Sequence, residues 1–434
     1  MRYLFLILIV CSGLIAKSQD TTSWSLQDCI NYAVAHNISV QKKMLDKESA
    51  DINYKQSVNN KLPSVNGSAA LNTSHGSTVD PITSSFVDKT IYSNSFAVNG
   101  QFVIYQGNSL NLQIEKNALL VNQSSLYQQQ AANNITLSVI QAYLQALYYY
   151  EGIGIAKNAA ASSAEELKLT EIKFKNGAVA QKDLADVQTQ NAQNEYSVVA
   201  AQNLYNQQVL TLKQLLELEP GTDFGIKAVT LDSASEAIPD KQTVYRQAIQ
   251  NLPDLKIYDV QNEILDKELS IAKAGNKPTL SLSGGINTGY TNTMNYNYVT
   301  QIHRNFSQQA GLTLSIPIFS KYTNKTNIAL AKINIKQNEL DKQSSAKTLY
   351  ANIETAWQNA IANNAQQASA KVARDNAKLA YDLARKKYDF GGLTTTELAV
   401  SRNSYLSAEQ TYLQTKYMAN LYRSLLDFYT GDNL

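Results

Sequence analysis

Cysteine is almost missing from this chain. Two occur in 434 residues, Cys11 and Cys29, and Cys11 lies inside the N-terminal apolar run. If that run is removed, one thiol remains and no intramolecular disulfide can form. Cys29 then reads as a small buried hydrophobe on the first helix. Histidine is nearly as scarce. His36, His75 and His303 are scattered, with no cysteine or acidic spacing around them that builds a metal site, so no metal ligand is expected. Charge is low as well: 17% of residues are charged, against roughly 25% in ordinary soluble chains. The net charge is +2, and no stretch is basic enough to indicate a nucleic-acid partner. There is no G-x-S-x-G, no P-loop and no dinucleotide fingerprint. Catalytic residues and cofactors are therefore not expected.

Long apolar runs are missing too, with one exception. "MR" followed by "YLFLILIV", with small residues at Ala16 and Ser18, reads as a secretory signal over residues 1–18, cleaved near Ser18. An anchor through Cys11 fits less well, because Val10 stands where a small residue is expected. Beyond the leader nothing approaches the ~18 apolar residues of a membrane helix. The chain reads as exported, and either soluble or inserted in a membrane by strands.

The most informative absence is proline. The seven prolines stand at 63, 81, 220, 239, 253, 278 and 317, leaving two long gaps. A helix interior rejects proline by about 3 kcal/mol, so both gaps permit very long helices. Between Asn108 and Phe174 glycine occurs only at Gly152 and Gly154, and between Lys321 and Tyr388 not at all. Each stretch predicts a helix of roughly 100 Å. In "KVARDNAKLAYDLARKKY" (371–388) Val372, Leu379, Leu383 and four alanines recur at three- and four-residue steps, a seam for close packing against other helices. Such helices need partners to be stable.

The prolines instead bracket alternating segments. "PSVNGSAALN" (63–72), "FAVNGQFVIY" (96–105), "PTLSLSGGIN" (278–287) and "AGLTLSIPIF" (310–319) all show a period of two. Phe96, Val98, Phe102 and Ile104, and Leu312, Leu314, Ile316 and Ile318, fall on one face. Asn99, Gln101, Thr313 and Ser315 fall on the other. This is the pattern of membrane-barrel strands, weak in any single segment. Taken alone, any one segment reads by default as a strand of a soluble sandwich.

The two halves match at a nearly constant offset. Pro63 and Pro278 are 215 positions apart, while Tyr105 and Phe319, Gly177 and Gly391, and Leu184 and Leu398 are each 214 apart. The expected domains are a first repeat over 19–219, a joint over 220–240 and a second repeat over 241–434. In the first repeat a helix precedes strands over about 63–73 and 91–105, a long helix, a tip turn over about 174–183 and a further helix. In the second the strands fall over about 278–290 and 306–318, and the tip turn over about 388–397. Two strands per half make four, too few to close a barrel, which needs about eight.

With "SLQDCINYAVAHNISVQ" (25–41), "KLPSV" and "NKPTL" entering strands, "LSIPIF" leaving one, and the paired turns "FKNGAVAQKDL" (174–184) and "YDFGGLTTTEL" (388–398), the chain resembles the TolC-type outer-membrane efflux protein family. The resemblance spans essentially the whole sequence after the leader. It implies a mainly α fold with membrane β: a homotrimer whose strands share one twelve-stranded barrel in outer-membrane lipid, continued across the periplasm by a barrel of long helical hairpins. It implies a passive exit duct for efflux or secretion, coupled by a periplasmic adaptor to an inner-membrane transporter. The glycine turns would be the periplasmic tips. Phe174, Gly177, Ala178, Gly391 and Gly392 would dock the adaptor, and Asp183, Tyr388, Leu393 and Glu397 would form the entrance. Phe96, Val98, Phe102, Ile104, Leu312, Leu314 and Ile316 would face lipid. Two positions depart from the family: Leu393 replaces a basic residue of its entrance lock, and Val400 replaces an acid of its entrance ring. Glu397 also reads as a capping-box residue with Thr394, and Asp183 as its counterpart in the first turn. The readings from a different class are a soluble periplasmic coiled-coil adaptor and a structural envelope protein.

Overall fold

The computed structural model describes residues 23–79, 83–88, 90–227 and 237–431. The expected leader at 1–18 and part of the expected joint, 228–236, lie outside the described residues. The described residues begin with β1 (Ser23–Trp24), α1 (Leu26–His36) and α2 (Ile38–Asn59). Strand β2 (Ser64–Ser74), a short pair β3 (Ser77–Val79) and β4 (Phe86–Asp88), and β5 (Ile91–Gln106) follow. Next come α3 (Ser109–Lys175) and α4 (Gln181–Leu215). After β6 (Gly225–Ile226) a similar order returns: α5 (Lys241–Asn251), α6 (Pro253–Ala274), β7 (Thr279–Thr291), α7 (Tyr298–Arg304), β8 (Ser307–Ser315), α8 (Thr323–Asp389) and α9 (Thr395–Thr430). Helices α3 and α8 hold 67 residues each, about 100 Å at 1.5 Å per residue. They fill the two proline-free gaps.

The helix expected at the start of each half is two helices. Asn37 ends α1 in extended conformation, and its side-chain oxygen accepts the Ser39 N–H at 2.9 Å, which caps α2. In the second half Leu252 is extended because Pro253 follows it, and Pro253 takes the first position of α6, where no N–H is needed. The stretches 73–91 and 291–305, which separate the expected strands of each half, contain the β3–β4 pair and helix α7.

The chain divides into two compact units, each drawing on both sequence halves. One comprises residues 41–131 and 249–351. Its centre is an antiparallel sheet in the order β2-β5-β7-β8. Val98 pairs with Gly67 and Ile286, Phe96 with Ala69 and Thr288, Phe102 with Leu282, and Leu282 with Leu312. Directly paired residues share a face, so Phe96, Val98, Phe102, Leu282, Ile286, Leu312 and Leu314 form one apolar side. Asn66, Asn99, Gln101, Ser283, Gln309 and Thr313 occupy the other.

Three residues of the expected apolar set fall elsewhere, Ile318 among them because it lies, like Ile316, beyond the end of β8. Val103 pairs with Ser281 and Tyr105 with Leu280, so Ile104 is the extra residue of a bulge and Tyr105 takes the place opposite Leu280. Ile316 lies beyond β8, which stops at Ser315, two residues before Pro317, a residue that cannot donate to a ladder.

Around the sheet's helical connections, α2, the first half of α3, α6 and the first half of α8 join by polar contacts. Gln123 donates to Gln261 at 2.7 Å, Gln130 to Asp254 at 2.9 Å and Asn338 to the Tyr258 carbonyl at 3.0 Å. Leu255, Ile257, Ile264 and Leu265 of α6 are buried as well, so apolar packing and polar contacts act together.

The other unit comprises residues up to 40, 132–248 and 352 onward. Its core gathers Cys29, Ala33, Val139, Ile140, Leu147, Leu212, Leu216, Val244 and Leu426, all fully buried. Each large side chain contributes about 1.5–3 kcal/mol on burial. The Tyr143 hydroxyl lies 3.0 Å from the Trp24 carbonyl and 2.9 Å from the Lys227 carbonyl. It thereby pins the parallel pair β1–β6 to α3. Burial pushes the Cys29 thiol up to about 12, so almost none is thiolate near neutrality. A maleimide reagent at pH 7.5 is expected to leave Cys29 unmodified in the native chain and to label it fully in denaturant, as read by intact mass.

Candidate functional site

The two ends of the long helices share one geometry. At the close of α3, Gly177 adopts φ +71°, its N–H donates to the Phe174 carbonyl at 2.9 Å, and the Ala178 N–H reaches back to Lys173 at 2.8 Å. At the close of α8, Gly391 adopts φ +76°, its N–H donates to the Tyr388 carbonyl at 3.0 Å, and the Gly392 N–H reaches Lys387 at 2.9 Å. Both are Schellman caps. The shared aromatic-x-x-Gly spacing has a backbone meaning here: the aromatic residue supplies the carbonyl that the left-handed glycine caps. No heavy atom stands within 4 Å of a Cβ built on either glycine. Glycine is therefore required by conformation and not by space, at about 1–2 kcal/mol for any other residue.

The helices that leave the turns are capped differently. The Thr394 hydroxyl accepts the Glu397 N–H at 3.2 Å, and the Glu397 carboxylate accepts the Thr394 N–H at 2.9 Å and the hydroxyl at 2.7 Å. These contacts complete a capping box. The Thr394 N–H, then its hydroxyl, hold the Glu397 carboxyl below the usual range. In the other turn Ala180 has no side-chain acceptor, and only half the box exists: Asp183 accepts the Ala180 N–H at 3.2 Å.

Behind the turns, contacts tie one hairpin to the other. The Thr395 hydroxyl donates to Asp183 at 3.4 Å, joining the first turn of α9 to that of α4. Tyr388 is buried, and burial raises its phenol above the ordinary value. Its hydroxyl lies 3.4 Å from that of Thr170, and the Lys173 ammonium sits 4.4 Å from its ring centre. Further along, Arg402 of α9 pairs with Glu166 of α3, with side chains only 3% and 9% exposed. Beside them Arg385 pairs with Glu165 at 2.7 Å, and the rings of Tyr381 and Tyr405 stack 5.9 Å apart.

Asp183 and Tyr388 thus enter the same inter-hairpin contact zone. Glu397 is committed to its cap. Leu393 is half-buried, and Val400 is 65% exposed. Phe174, Gly177, Ala178, Gly391 and Gly392 form the exposed outer surface of the two turns. The expected lipid-facing residues belong to the other unit, all but Ile316 within its sheet. The Arg402–Glu166 pair was not anticipated from sequence. The signal was present: Arg402 follows the buried Leu398 by four residues, which places an arginine on the seam side of α9.

Hairpins closed by twin glycine caps are joined in this chain to strands that are amphipathic across a four-stranded sheet, a class of fold that combines very long helices with one small two-faced sheet. The pattern of outer membrane efflux proteins matches residues 29–217 and 244–431, nearly the entire described chain, and the chain belongs to that family. Its location in the outer membrane follows. The probable outer membrane lipoprotein SilC of Salmonella typhimurium is 20% identical over 294 residues, covering 64% of this chain and 59% of that protein. The outer membrane protein TolC of Vibrio cholerae is 20% identical over 288 residues, covering 65% of this chain and 64% of that protein. The aligned segments thus span about three fifths of these relatives. A crystal structure of CusC shares the fold with a TM-score of 0.79 at 17% identity, covering 94% of this chain and 92% of that one.

Removing one member of a buried ion pair leaves the other charge without compensation, at a cost of about 3–5 kcal/mol. Arg402→Met is therefore expected to lower stability by that order. The Arg402→Met/Glu166→Leu double variant should recover most of the loss. Urea unfolding followed by circular dichroism measures both.

Proposed function

We propose that three copies of the chain close a common barrel in the outer membrane, and that the assembly is a passive exit duct. The observation that carries this reading is the two-faced sheet β2-β5-β7-β8, in which β2 and β8 have one partner each within the chain. Unpaired edges cannot face hydrocarbon, because each unsatisfied backbone group there costs several kcal/mol. Four strands cannot curl into a barrel by themselves. Pairing β8 of one copy with β2 of the next satisfies both edges. It also sends Phe96, Val98, Phe102, Leu312 and Leu314 outward and Asn99, Gln101, Ser283 and Gln309 into a polar lumen.

The helical hairpins continue the duct into the periplasm. Their exposed turns, with Phe174, Gly177, Ala178, Gly391 and Gly392, suit the docking of a periplasmic adaptor that links the duct to an energised inner-membrane transporter. Asp183 and Tyr388 hold the two hairpins of one copy together, so separating their contacts would widen the entrance. With Leu393 and Val400 in place, closure relies on packing, hydroxyl contacts and the buried Arg402–Glu166 pair. A soluble adaptor is the competing reading. It leaves an eleven-residue β2 and a nine-residue β8 wholly exposed with no purpose.

Reconstituted into a planar bilayer, the purified protein is expected to pass ions in discrete steps. Absence of conductance in both the wild type and variants that loosen the tips would exclude an open lumen. Leu314→Lys, which sets a charge on the apolar face, should weaken membrane assembly by ~2–4 kcal/mol. Wild-type yield and heat resistance of the Leu314→Lys assembly would show that this face does not meet lipid.

A further inference from the structure

Helix α7 and its flanks fold back over the apolar face of the sheet, and we infer that this segment is a foot that rests in the lipid–water boundary of the outer leaflet. The inference rests on insertion of the sheet as proposed above and assigns a lipid partner to a segment outside the strands.

Its side of the sheet is fixed by three contacts. The Thr288 hydroxyl donates to the Ile302 carbonyl at 2.6 Å, the Asn94 amide donates to the Tyr298 hydroxyl at 3.4 Å, and the Tyr290 and Tyr298 rings lie 5.2 Å apart. Thr288 is paired with Phe96, and Asn94 with Tyr290. All three therefore stand on the face that carries Phe96, Val98 and Ile286. Phe306, at the far flank of α7, lines the same recess as Phe96, Val98 and Ile286. The segment joins the end of β7 to the start of β8, whereas α3 leaves the end of β5 and α8 follows the end of β8. It sits at the strand ends remote from the long helices, which is the outward side of the membrane if those helices enter the periplasm.

The segment is a built element. Gln301 is 1% exposed. Its amide nitrogen donates to the carbonyls of Tyr296 at 2.8 Å and Thr291 at 3.0 Å, and its oxygen accepts the Thr291 N–H at 2.9 Å. Asn297 caps the helix through the Thr300 N–H at 2.8 Å, and Asn305 ties its end to the Gly289 carbonyl at 2.7 Å. This polar lock leaves Tyr296, Tyr298 and Phe306 about half exposed and Val299 65% exposed. The Arg304 guanidinium covers the Tyr296 ring at 4.3 Å. Amphipathic aromatics with a neighbouring cation are the composition of a membrane–water boundary, and these stand on the apolar side of the sheet. A lumen lid would need the segment on the opposite face of the sheet.

The test uses the mature full-length chain with Cys29→Ala, reconstituted in phosphatidylethanolamine/phosphatidylglycerol vesicles, with a nitroxide at Val299→Cys. Leu312→Cys and Gln309→Cys serve as references for the apolar and polar faces. Power saturation with oxygen and with a water-soluble nickel chelate should place the 299 label at a shallow lipid depth, several-fold more oxygen-accessible than the label at 309. A 299 label as nickel-accessible as the one at 309, or shielded from both reagents by a neighbouring copy, overturns the inference while the 312 label still reports lipid. If the 312 label itself reports water, the insertion of the sheet fails, and the foot fails with it.

Discussion

The constraint on which the rest of the structure depends is that backbone N–H and C=O groups must find partners where water is absent. In the sheet β2-β5-β7-β8 the inner strands satisfy each other, while β2 and β8 each have one side open within the chain. In hydrocarbon those open sides are forbidden. Side-chain chemistry reinforces the demand, because the sheet is apolar on one face and rich in Asn, Gln, Ser and Thr on the other. A surface of this kind suits neither water nor lipid on both sides. The proposed closure with other copies would satisfy the edges and separate the faces in one step.

The helical hairpins solve a different problem. A helix of 67 residues must turn back without leaving carbonyls unpaired, and the left-handed glycines at 177 and 391 do this through Schellman bonds. Position 180 shows how far the two turns have diverged. Alanine there gives up the hydroxyl that Thr394 provides, and Asp183, freed from half of its capping role, accepts a bond from Thr395 of the other hairpin. The buried Arg402–Glu166 pair adds a charged contact near the stacked rings of Tyr381 and Tyr405. Such a pair specifies an arrangement more than it stabilises one.

Much of this was legible in the residues. The proline gaps bounded α3 and α8, period-two alternation located the four strands, and Thr394-x-x-Glu397 announced its capping box. What was not legible depended on tertiary context. The bulge at Ile104 comes from register against β7, which no single strand reveals. The break at Asn37 is set by a side chain that caps the next helix. Helix α7 is only seven residues long, and its stability lies in Gln301 bonding to backbone groups of Thr291 and Tyr296 in the stretch before it, a contact without a sequence period. Arg402 was visible as a charge on a seam, but its partner Glu166 is 236 positions away.

The central claim is that one chain cannot complete its own barrel. Native mass spectrometry of the mature protein, extracted from outer membranes in mild detergent and freed of micelle by activation, tests it most directly. The account predicts a dominant species of three times the chain mass that dissociates only on harsh activation. A stable single-chain species, with the edges of β2 and β8 protected from hydrogen exchange, would contradict it.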